Sequence, residues 1–162
     1  MKGMLSAHRP DIHISSAGTL DGDRVISPEV LAALGADATH VAGHRSRTLR
    51  VEDVRQANVI LAMAREHLRE VVVLEPNAWE RTFTLKELVR RGEAHRARAI
   101  DEPLQHWLHA VGQGRNRMAL LGDDPSDDVV DPINAPPERL AATAAEIRDL
   151  CARLVALMVP PV

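Results

Sequence analysis

The chain has no tyrosine, one phenylalanine and two tryptophans among 162 residues. Its core therefore has to be aliphatic, built from Leu, Val, Ile and Ala. A single cysteine, Cys151, excludes an internal disulfide and cannot make a zinc knuckle or a dithiol redox pair. No apolar run approaches the ~18–20 residues of a membrane span. Met1–Asp11 lacks the apolar segment of a secretion signal. There is little excess charge of either sign: the net charge is −3, and no basic stripe points to nucleic acid or a membrane surface as partner. The apolar share, 45%, is enough for one domain of ordinary size. The expectation is a single cytoplasmic domain spanning residues 1–162, with no cofactor and no metal.

Ile12 and Ile14 alternate with His13, the two-residue period of a strand with one buried face. Ser15-Ser16-Ala17-Gly18-Thr19 follows at once, too small to fill a core. Gly18 suits a sharp exit from the strand. Such a run either borders a site or is a plain strand and turn.

Before it, Met1, Met4 and Leu5 share one helical face, the tail of a helix. After it, Ser27-Pro28 predicts an N-cap with proline at the first helical position, and Gly35 the stop. Val30, Leu31 and Leu34 face inward. His40-Val41-Ala42-Gly43-His44-Arg45-Ser46-Arg47 is a polar loop. Its two histidines are four apart, but Gly43 argues against a helix and no third ligand lies nearby. Solvated loop residues, or a histidine supporting a neighbouring loop, are expected.

Val51–Ala57 reads as a short helix. Asn58–Met63 is a continuous apolar run, predicted to be a strand buried on both faces. A helix over 66–74 turns Leu68, Val71 and Val72 inward. Arg81-Thr82-Phe83 is a further brief strand. Thr84-Leu85-Lys86-Glu87 is a capping box opening a helix that Gly92 ends. Leu104, Trp107, Leu108 and Val111 form the stripe of the next helix, with His106 and His109 on its wet side. Residues 112–137 are mostly loop. Within them Asp127-Asp128-Val129-Val130-Asp131-Pro132 is either a solvated acidic loop or a carboxylate lifted by two valines to a partly apolar position, suiting a proton donor. The last helix, 138–158, places Leu140, Ala144, Ile147, Cys151, Leu154 and Met158 on one face, so Cys151 is a packing residue. Alternating helices and strands predict an α/β fold with a parallel sheet.

Three pieces together resemble the low-molecular-weight protein tyrosine phosphatase family. They are Ser15–Thr19, then Gly43-His44-Arg45-Ser46-Arg47 followed by the helix and Ile60-Leu61-Ala62-Met63, and finally Asp128–Pro132 before the last helix. Thr82-Phe83-Thr84-Leu85 looks like the actinobacterial branch. The resemblance implies a flavodoxin-like three-layer α/β/α fold with strand order 2-1-3-4. It also implies phosphate-monoester hydrolysis through a phosphocysteine, on a phosphorylated protein or a small phosphate ester. In the family the cysteine lies in a C-x5-R loop at a helix N-terminus. There backbone amides and the helix dipole hold the phosphate and depress the thiol pKa. By resemblance Asp131 is the general acid, and Ser16 and His44 stiffen the phosphate loop by hydrogen bonds.

The chain departs from the family pattern in two respects. It has no C-x5-R, and Cys151 lies at the wrong end to stand in. In the family that loop precedes the helix in which this sequence begins. The expectation is a domain incomplete at its N-terminus, lacking the first and central strand, inactive as given and poorly folded alone. Two readings stay open. In one the native protein carries the loop upstream and is a phosphatase; the start inside an amphipathic helix favours this. In the other the chain is a non-catalytic relative, a binding or regulatory module. An unrelated doubly wound protein with chance matches is a third. The second departure is that Ile133 and Asn134 stand where tyrosine-directed members place aromatics, which puts phosphotyrosine selectivity in doubt. The extra cysteines of the arsenate-reductase branch are absent.

Overall fold

The computed structural model describes residues 12–20, 22–122 and 124–159. The helix read at Met1–Ser6 lies outside them. The chain divides into two compact units. Unit 1 takes the chain up to Leu49 together with Val130–Asp149; unit 2 takes Arg50–Val129 and the chain from Leu150 on.

In unit 1, helix α1 (Pro28–Leu34) forms as its ends dictate. Ser27 Oγ accepts from the Val30 amide, Pro28 opens the helix, and Gly35 at φ 56° closes it. A 3₁₀ turn, Gly35–His40, follows. The strand expected at Ile12–Ile14 does not form a ladder among the described residues. Its burial pattern survives, with Ile12 and Ile14 half-buried and His13 exposed. Pairing begins only at Gly18, in an isolated parallel bridge to Thr48. The alternation shows in the burial, but a ladder also needs a neighbour for the isoleucines' backbone.

In unit 2, α2 (Val51–Gln56) leads to β1 (Ile60–Ala62), α3 (Arg65–Leu74), a 3₁₀ turn (Pro76–Arg81), β2 (Thr82–Thr84), α4 (Leu85–His95) and α5 (Leu104–Val111). β1 and β2 pair in parallel, Ile60 with Thr82 through Ala62 with Thr84. A parallel pair needs a crossover, and α3 supplies it, packing on both strands. The two paired strands are parallel, as the α/β expectation requires. β1 is less buried than expected. Ile60 and Leu61 are half-buried and only Ala62 is buried. β2 covers one of its edges, and no described strand covers the other.

Trp107, Phe83, Leu68, Leu85, Leu88, Leu108 and Leu154 fill the core of unit 2. Each such side chain contributes roughly 1.5–3 kcal/mol by leaving water. Helix α4 runs through Gly92 instead of stopping there. A Cβ at Gly92 would lie 3.2 Å from Trp107 Cζ2 and 3.0 Å from Leu157 Cδ1, so the missing side chain is what lets the indole and the leucine approach. Thr84 Oγ1 caps α4 by accepting from Glu87 N at 3.1 Å. The reciprocal half of the capping box is replaced, because the Glu87 carboxylate takes Arg115 and Arg91 instead.

The Arg115 side chain is buried in this unit. Its guanidinium lies between the rings of Trp79 and Phe83, 3.9 and 4.0 Å from their centroids. It donates to Thr82 O at 2.7 Å and Trp79 O at 3.0 Å. Burial pushes its pKa down, and Glu87 opposes that shift.

The last helix, α6 (Pro137–Met158), has its residues up to Asp149 in unit 1 and the rest in unit 2. Thr143 is buried in the first part; Leu150, Cys151, Leu154 and Leu157 are buried in the second. No described helix is long and apolar enough to cross a membrane.

Candidate active site

The three residues singled out from sequence, Ser16, His44 and Asp131, all belong to unit 1. Two segments frame the first two. Gly18 N donates to Arg47 O and Leu49 N to Gly18 O, each at 2.8 Å, so the small-residue run lies beside residues 47–49. Segment 22–25 flanks the same stretch. Asp23 N donates to Ser46 O and Ser46 N to Arg24 O, with an antiparallel bridge between Val25 and Arg45. The loop read as solvated is therefore built into backbone pairing on both sides. Gly22 has to be glycine here, since a Cβ would sit 2.8 Å from Arg47 Cα.

Arg45 completes the frame. Its Nε donates to Asp23 Oδ1 at 2.6 Å and its Nη2 to Asp23 O at 3.0 Å. Asp23 has φ 67°, a left-handed conformation that Asp tolerates better than most residues. Sequence reading missed this pair, because 22 positions separate its members.

Ser16 and His44 are both exposed. His44 lines a shallow hollow of about 250 Å³ with Gly18, Leu20, Val25 and Ile26 among its walls. That is smaller than the ~300–1,000 Å³ of ligand pockets. No hydrogen bond among the described residues joins the side chains of Ser16, His44 and Asp131.

Asp131 sits on a tight turn. Its Oδ1 accepts from Ile133 N at 3.0 Å, and Ala135 N donates to Pro132 O at 3.0 Å. Asn134 takes φ 59°, a role that Asn fills readily. Asp131 itself is not lifted to an apolar position. Asp131 is exposed, and of the two valines only Val129 is buried, while Val130 is 57% exposed. The partly covered carboxylates are Asp127 and Asp128, in unit 2.

Among the described residues no group of three or more His, Cys, Asp or Glu could hold a metal. His106 and His109 are exposed on α5, and Cys151 is buried on α6. A buried thiol in apolar surroundings is inert. Unit 1 thus holds an exposed carboxylate on a tight turn and a loop braced by backbone pairing.

A family model described as low molecular weight phosphotyrosine protein phosphatase matches residues 4–113. A low molecular weight protein tyrosine phosphatase from T. tengcongensis superposes with TM-score 0.58 at 26% identity, over 87% of this chain and 74% of that one. The YwlE arginine phosphatase from Geobacillus stearothermophilus gives 0.61 at 25% identity, over 92% and 75%. A YwlE mutant from Bacillus subtilis gives 0.58 at 22% identity, over 91% and 79%, a likeness of fold alone. No curated protein sequence matches the chain. With more than half of its length under the family model and its α/β fold shared with solved members, the chain belongs to the low molecular weight phosphotyrosine protein phosphatase family.

Proposed function

We propose that this domain serves phosphate-monoester hydrolysis by a phosphocysteine route in which Asp131 is the general acid. The observation that carries the reading is Asp131 itself: an exposed carboxylate at an Asp-Pro turn, its orientation fixed by the Ile133 amide. A proton donor to a leaving oxygen has to reach substrate, and exposure permits that. Ser16 and His44 act behind it, bracing the phosphate loop by hydrogen bonds. Neither touches the reacting atoms.

The thiolate and the phosphate-gripping arginine have to come from outside these 162 residues. Cys151 is the single cysteine, and the residue six positions on is Leu157, not arginine. In this reading the 162 residues alone turn over no phosphate ester, because removing a nucleophile and its oxyanion donors together leaves little catalysis. The substrate is a phosphorylated protein or a small phosphate ester. Solved relatives are named for phosphotyrosine and for arginine phosphatase activity. Ile133 and Asn134 offer no aromatic wall for a phenyl ring, which weighs against strict phosphotyrosine selectivity. The site of action is cytoplasmic.

Mass spectrometry of the N-terminal peptide of the protein from its own cells tests the reading. A peptide carrying an upstream C-x5-R supports it. In that form Asp131→Asn should slow esters with poor leaving groups by about 10²–10⁴, and p-nitrophenyl phosphate much less. A native N-terminus at Met1 overturns it in favour of a non-catalytic, phosphatase-like binding protein.

A further inference from the structure

Three consecutive residues of unit 2 tie to three different elements. The Asp127 carboxylate takes both arms of Arg90 on α4, from Nε at 3.0 Å and Nη2 at 2.6 Å. Asp128 Oδ1 accepts the amide of Arg65, first residue of α3, at 2.7 Å. Val129 N donates to Met63 O, just past β1, at 2.8 Å.

Each tie has a local reason. The N-cap of α3 is Ala64, which has no side-chain oxygen, so the first amides of that helix need an acceptor from elsewhere. Asp128, 63 residues away in sequence, supplies it, with a negative charge at the positive end of the helix dipole. Val129 is buried as an apolar peg. The Asp127 side chain is only 17% exposed, while that of Arg90 is 60% exposed. Its two-pronged geometry separates this pair from a loose surface contact. Arg90 also feels Glu87 and Asp124, and all three carboxylates favour its charged form. Asp124 in turn holds the Ser126 amide at 3.0 Å. The chain that leaves this anchor at Val130 reaches Asp131 one residue later.

We propose that Arg90 is a positioning residue of the acid loop: through Asp127 it fixes the point from which the chain enters Val130-Asp131-Pro132. The proposal rests on the reading of Asp131 as the acid. Arg90 touches no substrate and acts through the loop alone.

Amide hydrogen exchange on the 162-residue chain tests it. Arg90→Gln and Asp127→Asn should each raise exchange at Val129 and Ile133 about three- to fivefold, leaving Leu88 and Val89 in α4 unchanged. The double reversal, Arg90→Asp with Asp127→Arg, should restore slow exchange. Arg153→Gln removes another two-pronged pair to α4, with Glu93, and should leave Val129 and Ile133 alone. Unchanged exchange at Ile133 in both single variants overturns the proposal, as does an equal rise in Arg153→Gln. Exchange at Ile133 reads the anchor whatever Asp131 does chemically. A failure of the acid reading would appear instead in the leaving-group dependence of Asp131→Asn.

Discussion

Arg115 Nε donates to Glu87 Oε1 at 2.8 Å, with the arginine side chain 3% exposed and the glutamate 14%. Taking one partner away leaves the other charge buried and unpaired, which costs about 3–5 kcal/mol. Glu87→Gln should therefore destabilise unit 2 by several kcal/mol, read as a lower urea midpoint of tryptophan fluorescence. Arg115→Met, which removes the charge and keeps an apolar body between the rings, should cost less than Arg115→Ala. Equal losses in the two arginine variants would mean that the rings, not the charge, hold this corner.

A helix interior usually gains from replacing glycine with alanine, by about 1 kcal/mol. Gly92→Ala should do the reverse here. The new methyl would press on Leu157 Cδ1 and the Trp107 ring, at 3.0 and 3.2 Å. Overpacking of this kind costs about 1–3 kcal/mol. A thermal melt should fall by several degrees, and a rise would show that the indole moves aside freely.

Glu102 gives a pH signature. Arg96 grips it with two bonds of 2.8 Å, and its pKa falls from the ordinary 4.5 to about 2. A carboxylate with a depressed folded pKa stabilises fully above its unfolded value and loses that contribution as pH drops towards the folded one. The stability gap between the native protein and Glu102→Gln should hold from neutral pH to about 5, then shrink between pH 4.5 and 2. Urea midpoints at pH 6 and pH 2.5 check this; a constant gap would contradict it.

Among the described residues every buried apolar side chain belongs to unit 2, and the buried residue of unit 1 is Thr143. Burial is the main term against chain entropy. Amides of residues 22–26 and 45–49 should exchange far faster than those of β1 and β2. Comparable protection in both units would overturn this.

Much of the fold was legible because its signals are local. Ser27-Pro28 and Gly35 bound α1, the stripe Leu104-Trp107-Leu108-Val111 defined α5, and Thr84 capped α4, all readable within a few residues. What sequence reading missed is long-range. The continuation of α4 through Gly92 depends on Trp107 and Leu157 arriving from elsewhere in the chain. Ile12–Ile14 alternate in burial and still form no ladder among the described residues, since pairing is a property of neighbours. At the candidate site, Asp131 stood out through its motif. Asp128 and Arg90 did not, because an acceptor for α3 and a two-pronged ion pair appear only when segments 63 and 37 residues apart come together.

The most direct measurement is turnover of an aryl phosphate by the 162-residue chain, alongside Cys151→Ser. The account predicts no turnover above buffer and no effect of the substitution, since Cys151 is buried and the residue six positions on is Leu157, so no C-x5-R loop can form around it. Turnover that disappears in Cys151→Ser or in Asp131→Asn would contradict it, and would mean that the nucleophile lies within these residues after all.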